Sequence, residues 1–276
     1  MSRFRRFVSD TANRLMLGGI RHGLSVRSHR LSRGLPSLFI VSLPRSFSSY
    51  AYLLARSALL MREPRFTTFG EILNFGRFEK SYAPSEGTLP SFFIRQDREP
   101  AAFHQGTAFL DRVVETCGFA YKDVVQPFVI AAWLHARKEF RILHIRRNLA
   151  DVAIAMLELK WLYPAGAANC NTDVESAIAE GLVLADNVLA TLPAVTVEYE
   201  EVVRDGTALS AALSELYPEF ECPSIRFRNH QLGAEDARTI ALRASPRYPV
   251  LKQKIRDLRA NLSSEASDHA RIVGNT

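Results

Sequence analysis

The stretch "FIVSLPRSFSSYAYLLARSAL", Phe39 to Leu59, changes its periodicity halfway along. Its first residues belong to the apolar run "PSLFIVSLP" and read as a short buried strand. Tyr50, Leu53 and Leu54 then fall on one face of a helix over 49–60, and Pro64 ends that pattern. Between the two elements stand Pro44, Arg45 and the serines Ser42, Ser46, Ser48 and Ser49. Parallel α/β sheets bind ligands beyond the C-terminal ends of their strands. A helix starting there presents free N–H groups and the positive end of its dipole. A permanent cation and several hydroxyl donors at that point describe an oxyanion cradle; a serine-capped helix with an exposed arginine is the plainer alternative. The turn lacks the glycines and lysine of GxxxxGK[ST], which disfavours an ATP-consuming kinase.

The rest of the chain alternates in the same way. "GTAFLDRVVETCG" (106–118) predicts a helix closed by Gly118, "FAYKDV" a short strand, and 126–138 another helix. "FRILHIR" (140–146) is a second clear strand, followed by the helices "ADVAIAMLELKWL" and "ESAIAEGLVLADNVLATL". "AVTVEYEEV" (194–202) alternates as a further strand before a short helix near 207–216. Residues 65–105, rich in aromatics, Gly and Pro, predict long loops with short helices, a type of segment that often carries function. The last third predicts loops and then a helix from about 249 to 262. Strands separated by helices imply a three-layer α/β sandwich with a mainly parallel central sheet. The expected organisation is a basic extension at 1–34 and one α/β domain at 35–276.

Composition narrows the class. With 47% hydrophobic and 23% charged residues, the chain fits a soluble globular protein. Three scattered cysteines without a CxxC pair argue against a disulfide framework or a cysteine-based zinc site. Without a clean secretion signal or a run long enough to span a bilayer, the expected compartment is the cytoplasm. The net charge of +6 is uneven: residues 1–34 hold eight arginines and one aspartate, and the remainder 27 basic and 28 acidic residues. The body is therefore not a nucleic-acid binder of the general polyanion kind. In the basic tail, Phe4, Val8, Leu15 and Leu17 stand among the arginines. A solvated tail, weak membrane association, and targeting or partner docking all stay open. Oligomeric state is left undetermined.

"VSLPRSFSSY" resembles the 5′-phosphosulfate loop of sulfotransferases that use 3′-phosphoadenylyl sulfate, usually Pro-Arg/Lys-Ser/Thr-Gly-Ser/Thr-Ser/Thr. Pro44, Arg45, Ser46, Ser48 and Ser49 match, and Phe47 holds the usual glycine position. "RILHIRRNLADVAIAM" is similar to the family's 3′-phosphate motif through Arg147, Asn148 and Asp151, although Leu149 replaces a proline and Ala155 a serine. Without any ligand, Asn148 and Asp151 are also explained as a helix cap and its closing box. Arg146 is a second candidate cation, but strand alternation turns neighbouring side chains to opposite faces. "VTVEYEEVV" resembles a family strand end through Tyr199 and Glu200, residues suited to organising the core around a site. The three matches run in family order over about residues 37–205.

The resemblance implies a P-loop-like sulfotransferase fold and metal-free transfer of a sulfuryl group from 3′-phosphoadenylyl sulfate (PAPS). The acceptor would be a hydroxyl or amine of a small molecule or carbohydrate, and the second product adenosine 3′,5′-bisphosphate (PAP). Arg45, Ser46, Phe47, Ser48 and Ser49 would line the 5′-phosphate and Arg147 the 3′-phosphate. Glu71, in a segment like the "GE" of the carbohydrate-type and bacterial-type branches, is one candidate base and His104 the other. Lys122 resembles a family lysine that meets the sulfate or acceptor; a salt bridge to Asp123 or another surface acid is its plainer role. His144, inside a strand, is read as structural. Phe92, Phe93, Trp133 and Trp161 line an acceptor cleft or pack in the core. A phosphotransferase and a non-catalytic nucleotide- or anion-binding protein are the competing readings.

Overall fold

A computed structural model describes residues 35–61, 71–73, 93–114, 120–169, 173–225 and 237–273. The basic extension, Phe92 and the predicted closure at Gly118 lie outside them. Four strands form one parallel sheet: β1 (Ser37–Ser42), β2 (Ala120–Asp123), β3 (Phe140–Arg146) and β4 (Ala194–Glu198), in the order β2-β1-β3-β4. The register sets Phe39 beside Tyr121 on one side and Ile142 on the other. All six residues of β1 are buried, because a central parallel strand is covered on both faces; this is why its sequence is a continuous apolar run.

The helices among the described residues are α1 (Ser48–Ala58), α2 (Pro100–Val113), α3 (Pro127–His135), α4 (Leu149–Leu159), α5 (Val174–Ala190), α6 (Tyr199–Asp205), α7 (Thr207–Leu216) and α8 (Arg247–Val273). Residues 237–243 are also helical. Alternation along the strands divides the core. Phe39, Val41, Tyr121 and Ile142 face α2, α3, α4 and α5, whereas Leu38, Ile40, Leu143 and Ile145 face α1, α6 and α7. The fold is thus a three-layer α/β sandwich whose sheet is parallel throughout. An aromatic cluster fills the first face, with Phe140 5.9 Å from Phe39 and 5.2 Å from Trp133, ring centre to ring centre.

Several boundaries differ from the sequence-based expectations. α2 begins six residues before 106, since Pro100 at its first turn needs no N–H partner. β4 stops at Glu198, and Tyr199 and Glu200 open α6 instead of ending a strand. α4 ends at Leu159 because Lys160 turns left-handed with φ 56°. Beyond it, a 3₁₀ turn (Tyr163–Ala167) is held tightly to α5. A Cβ at Gly181 would stand 1.9 Å from the Pro164 carbonyl oxygen, so only glycine permits that approach.

Candidate active site

Because all four strands run the same way, their C-terminal ends share one edge. The β1–α1 turn, the end of β2 and the start of α4 meet there. The turn is conformationally unusual: Arg45 has φ 65° and Phe47 φ 60°, both left-handed. Phe47 is the N-cap of α1, and no side chain caps that helix. The serine-capped alternative is therefore not what forms, and the first-turn N–H groups face the turn. Left-handed backbone at Phe47 is a conformation that glycine adopts without strain.

Three polar atoms of the turn, Ser42 Oγ, Ser46 Oγ and Arg45 Nε, are buried without a hydrogen-bond partner among the described residues. Buried donors are ordinarily satisfied, so this cluster suits an anionic guest. The Arg45 guanidinium lies 5.9 Å from the ring centre of Trp161, which is 42% exposed, and Trp161 stacks on Tyr163. Burial holds the Tyr163 hydroxyl well above the usual tyrosine range, helped by the nearby carboxylates of Glu71 and Asp123.

At the end of β2, Lys122 is completely buried. Its Nζ donates to Glu71 Oε1 at 2.5 Å and to Ser49 Oγ at 3.0 Å. Residue 71 also bridges Lys122 through the backbone as an extra parallel rung. Asp123 fixes this segment: its carboxylate accepts from Leu73 N at 2.9 Å and from Val125 N and Gln126 N at 2.8 Å each. Burial raises the Asp123 carboxyl to about 6, against the pull of those three bonds. The surface salt bridge considered for Lys122 is thus an internal bond to Glu71. His104 lies on the exposed side of α2, edge-on to Phe103. Of the two candidate bases, Glu71 is the one hydrogen-bonded to Lys122.

Arg147, 4% exposed, follows β3. It donates to the Arg45 carbonyl, a partner 102 positions away, and to Thr239 Oγ1 at 3.0 Å. Its guanidinium rests 3.9 Å from the centre of the Tyr199 ring, which gives Tyr199 its organising role. Arg146 points to the opposite face and pairs with buried Asp186 at 2.9 Å. Asn148 caps α4 by accepting from Ala150 N, but Asp151 does not close a box. Fully buried Asp151 instead accepts a two-bond fork from Arg243, at 3.0 and 2.7 Å. Ala155 packs in the core at 1% exposure and brings no hydroxyl.

Of the aromatic candidates, Phe93 and Trp133 are core residues; Trp161 alone among the described ones is exposed. A groove of about 690 Å³ lies between α2, α3 and α5, lined by Arg95, Phe103, Phe128 and Leu184, and includes neither Arg45, Lys122 nor Arg147. Thr239 and Arg243 were not singled out in the sequence, and Asp123, expected there as an ion-pair partner of Lys122, instead accepts three backbone N–H bonds. Thr239 and Arg243 sit 92 positions from the residues they bond, in a segment without strand or helix periodicity of its own.

The sequence matches no protein-family model and no curated protein. Among solved structures, a sulfotransferase domain from the curacin biosynthetic pathway is similar over 72% of this chain and 77% of its own, with 14% identity and a TM-score of 0.39. That overlap is loose. Among the described residues, no helix is long and apolar enough to cross a membrane.

Proposed function

We propose that this protein is a sulfotransferase that moves the sulfuryl group of 3′-phosphoadenylyl sulfate to an acceptor hydroxyl or amine. The observation that carries the reading is the contact between Arg147 and the Arg45 carbonyl, which joins the two motif arginines at one sheet edge. The residues of the edge suit the donor: an uncapped helix start, Arg45 and the buried hydroxyls of Ser42 and Ser46 offer hydrogen bonds to a phosphate.

In this reading the acceptor oxygen attacks sulfur as its proton passes to Glu71, and the bond from sulfur to the phosphate oxygen breaks. The electron pair stays on that oxygen, giving adenosine 3′,5′-bisphosphate. Arg45 meets the growing charge there, so its interaction strengthens in the transition state. Lys122 fixes the Glu71 carboxylate and, through Ser49, ties it to the phosphate turn. Small molecules and carbohydrates are the acceptor classes to search, in the cytoplasm.

The test is formation of adenosine 3′,5′-bisphosphate from the sulfated donor across a panel of hydroxyl and amine acceptors. Acceptor-dependent product supports the reading. A second reading, nucleotide binding without turnover, takes its support from Ala155, which leaves the 3′-phosphate motif short of a hydroxyl. It predicts product-nucleotide binding with no transfer to any acceptor.

A further inference from the structure

The segment 237–243 folds over Arg147 from the far end of the chain. It is anchored by the Arg243 fork onto Asp151, a side chain with no exposed surface, in the first turn of α4. This anchor sets Thr239, half-buried, beside two parts of the Arg147 group: its Oγ1 accepts from Arg147 Nη2 at 3.0 Å and stands 3.5 Å from the Tyr199 hydroxyl. A hydroxyl has one proton to give and two lone pairs to receive. With one lone pair engaged by Arg147, the Thr239 proton is left for the Tyr199 hydroxyl, since either oxygen of that 3.5 Å pair can donate, or for an acceptor brought by a ligand. Ala155, where the related motif has its serine, is packed in the core and has no such group.

We infer that Thr239 supplies the hydroxyl contact to the 3′-phosphate of the nucleotide that position 155 lacks. The inference rests on the nucleotide reading above and adds a binding residue to it. Thr239 acts in two ways: it orients the Arg147 guanidinium by accepting from it, and it donates its own proton to a phosphate oxygen. The Asp151–Arg243 pair is then the hinge pin that keeps this hydroxyl in place, which accounts for a fully buried carboxylate spent on a chain segment 92 positions away.

The experiment compares adenosine 3′,5′-bisphosphate with AMP, which lacks the 3′-phosphate, by calorimetric titration of the full chain. Thr239→Val should weaken the bisphosphate about tenfold, the worth of one hydrogen bond to a charged group, and leave AMP unchanged. Thr239→Ser should bind both as the unaltered protein does. Thr239→Ala, which removes the hydroxyl without adding a methyl, repeats the test should valine disturb the fold. Bisphosphate affinity of Thr239→Val and Thr239→Ala unchanged from that of the unaltered protein would overturn the inference, as would an equal loss for both ligands. Failure of the unaltered protein to bind the bisphosphate is a different result, and it overturns the nucleotide reading itself.

Discussion

The buried ammonium of Lys122 stands 2.5 Å from the Glu71 carboxylate, which keeps 20% of its side chain open to solvent. One partner is thus wholly desolvated and the other keeps contact with solvent. Removing either should leave the other poorly compensated. A double-mutant cycle with Lys122→Met and Glu71→Gln should give a coupling of about 1–3 kcal/mol in urea unfolding, reduced from a fully buried pair by the solvent at Glu71. Additive losses would show that the pair is not coupled.

Arg45→Ala should cut turnover roughly 100-fold or more while leaving the fold intact, as expected for an electrostatic stabiliser of the leaving oxygen. Glu71→Gln should also abolish most turnover but keep binding of adenosine 3′,5′-bisphosphate. An unchanged rate in steady-state assays of Glu71→Gln would move the base to another residue, with His104 the next to substitute.

Phe47 holds φ 60° at the mouth of α1, with its ring 4.9 Å from that of Tyr50. Left-handed backbone costs a residue with a side chain about 1 kcal/mol, and glycine escapes that cost. Phe47→Gly relieves the backbone and loses the ring contact, so its stability should stay within about 1 kcal/mol of the parent. Phe47→Val, branched at Cβ, should be clearly less stable than Phe47→Gly. Thermal unfolding distinguishes them; equal midpoints would contradict the assigned backbone.

Burial pushes the His144 ring down to about 4. The unfolded ring has a pKa of about 6.5, so on acidification the unfolded chain takes up the proton first. The stability contributed by neutral His144 is complete above about pH 6.5 and is lost as the pH falls toward about 4. Asp123 has the opposite sign: its carboxyl is raised to about 6, so its contribution is complete below the unfolded value of about 3.9 and is lost as the pH rises through 6. His144→Gln should therefore remove part of the acid-side loss. Relative to the variant, the parent should lose about 2–3 kcal/mol between about pH 7 and pH 4 in urea unfolding. Parallel pH profiles would contradict this.

The sequence made the fold readable where one element follows another without a long-range partner. The change of period around Pro44 marks β1 and α1, and "FRILHIR" coincides with β3 because a strand covered on most of its length must be apolar. Lys122 was visible as a lysine near a strand end, but its bond to Glu71 was not, since 51 positions separate them. Asp151 shows the limit most clearly. Its spacing from Asn148 fits a capping box, yet the arginine that claims it comes from beyond residue 236. Alternation did resolve Arg146 from Arg147, since adjacent strand residues turn to opposite faces.

The central claim is that the edge formed by the Arg45 turn and Arg147 takes a 3′-phosphorylated adenine nucleotide. The most direct measurement is calorimetric titration of the unaltered protein with adenosine 3′,5′-bisphosphate, with ATP and AMP as controls. Saturable binding of the bisphosphate, with little heat from ATP and weaker binding of AMP, is the predicted result. No binding by folded protein, or ATP bound as tightly as the bisphosphate, would contradict it.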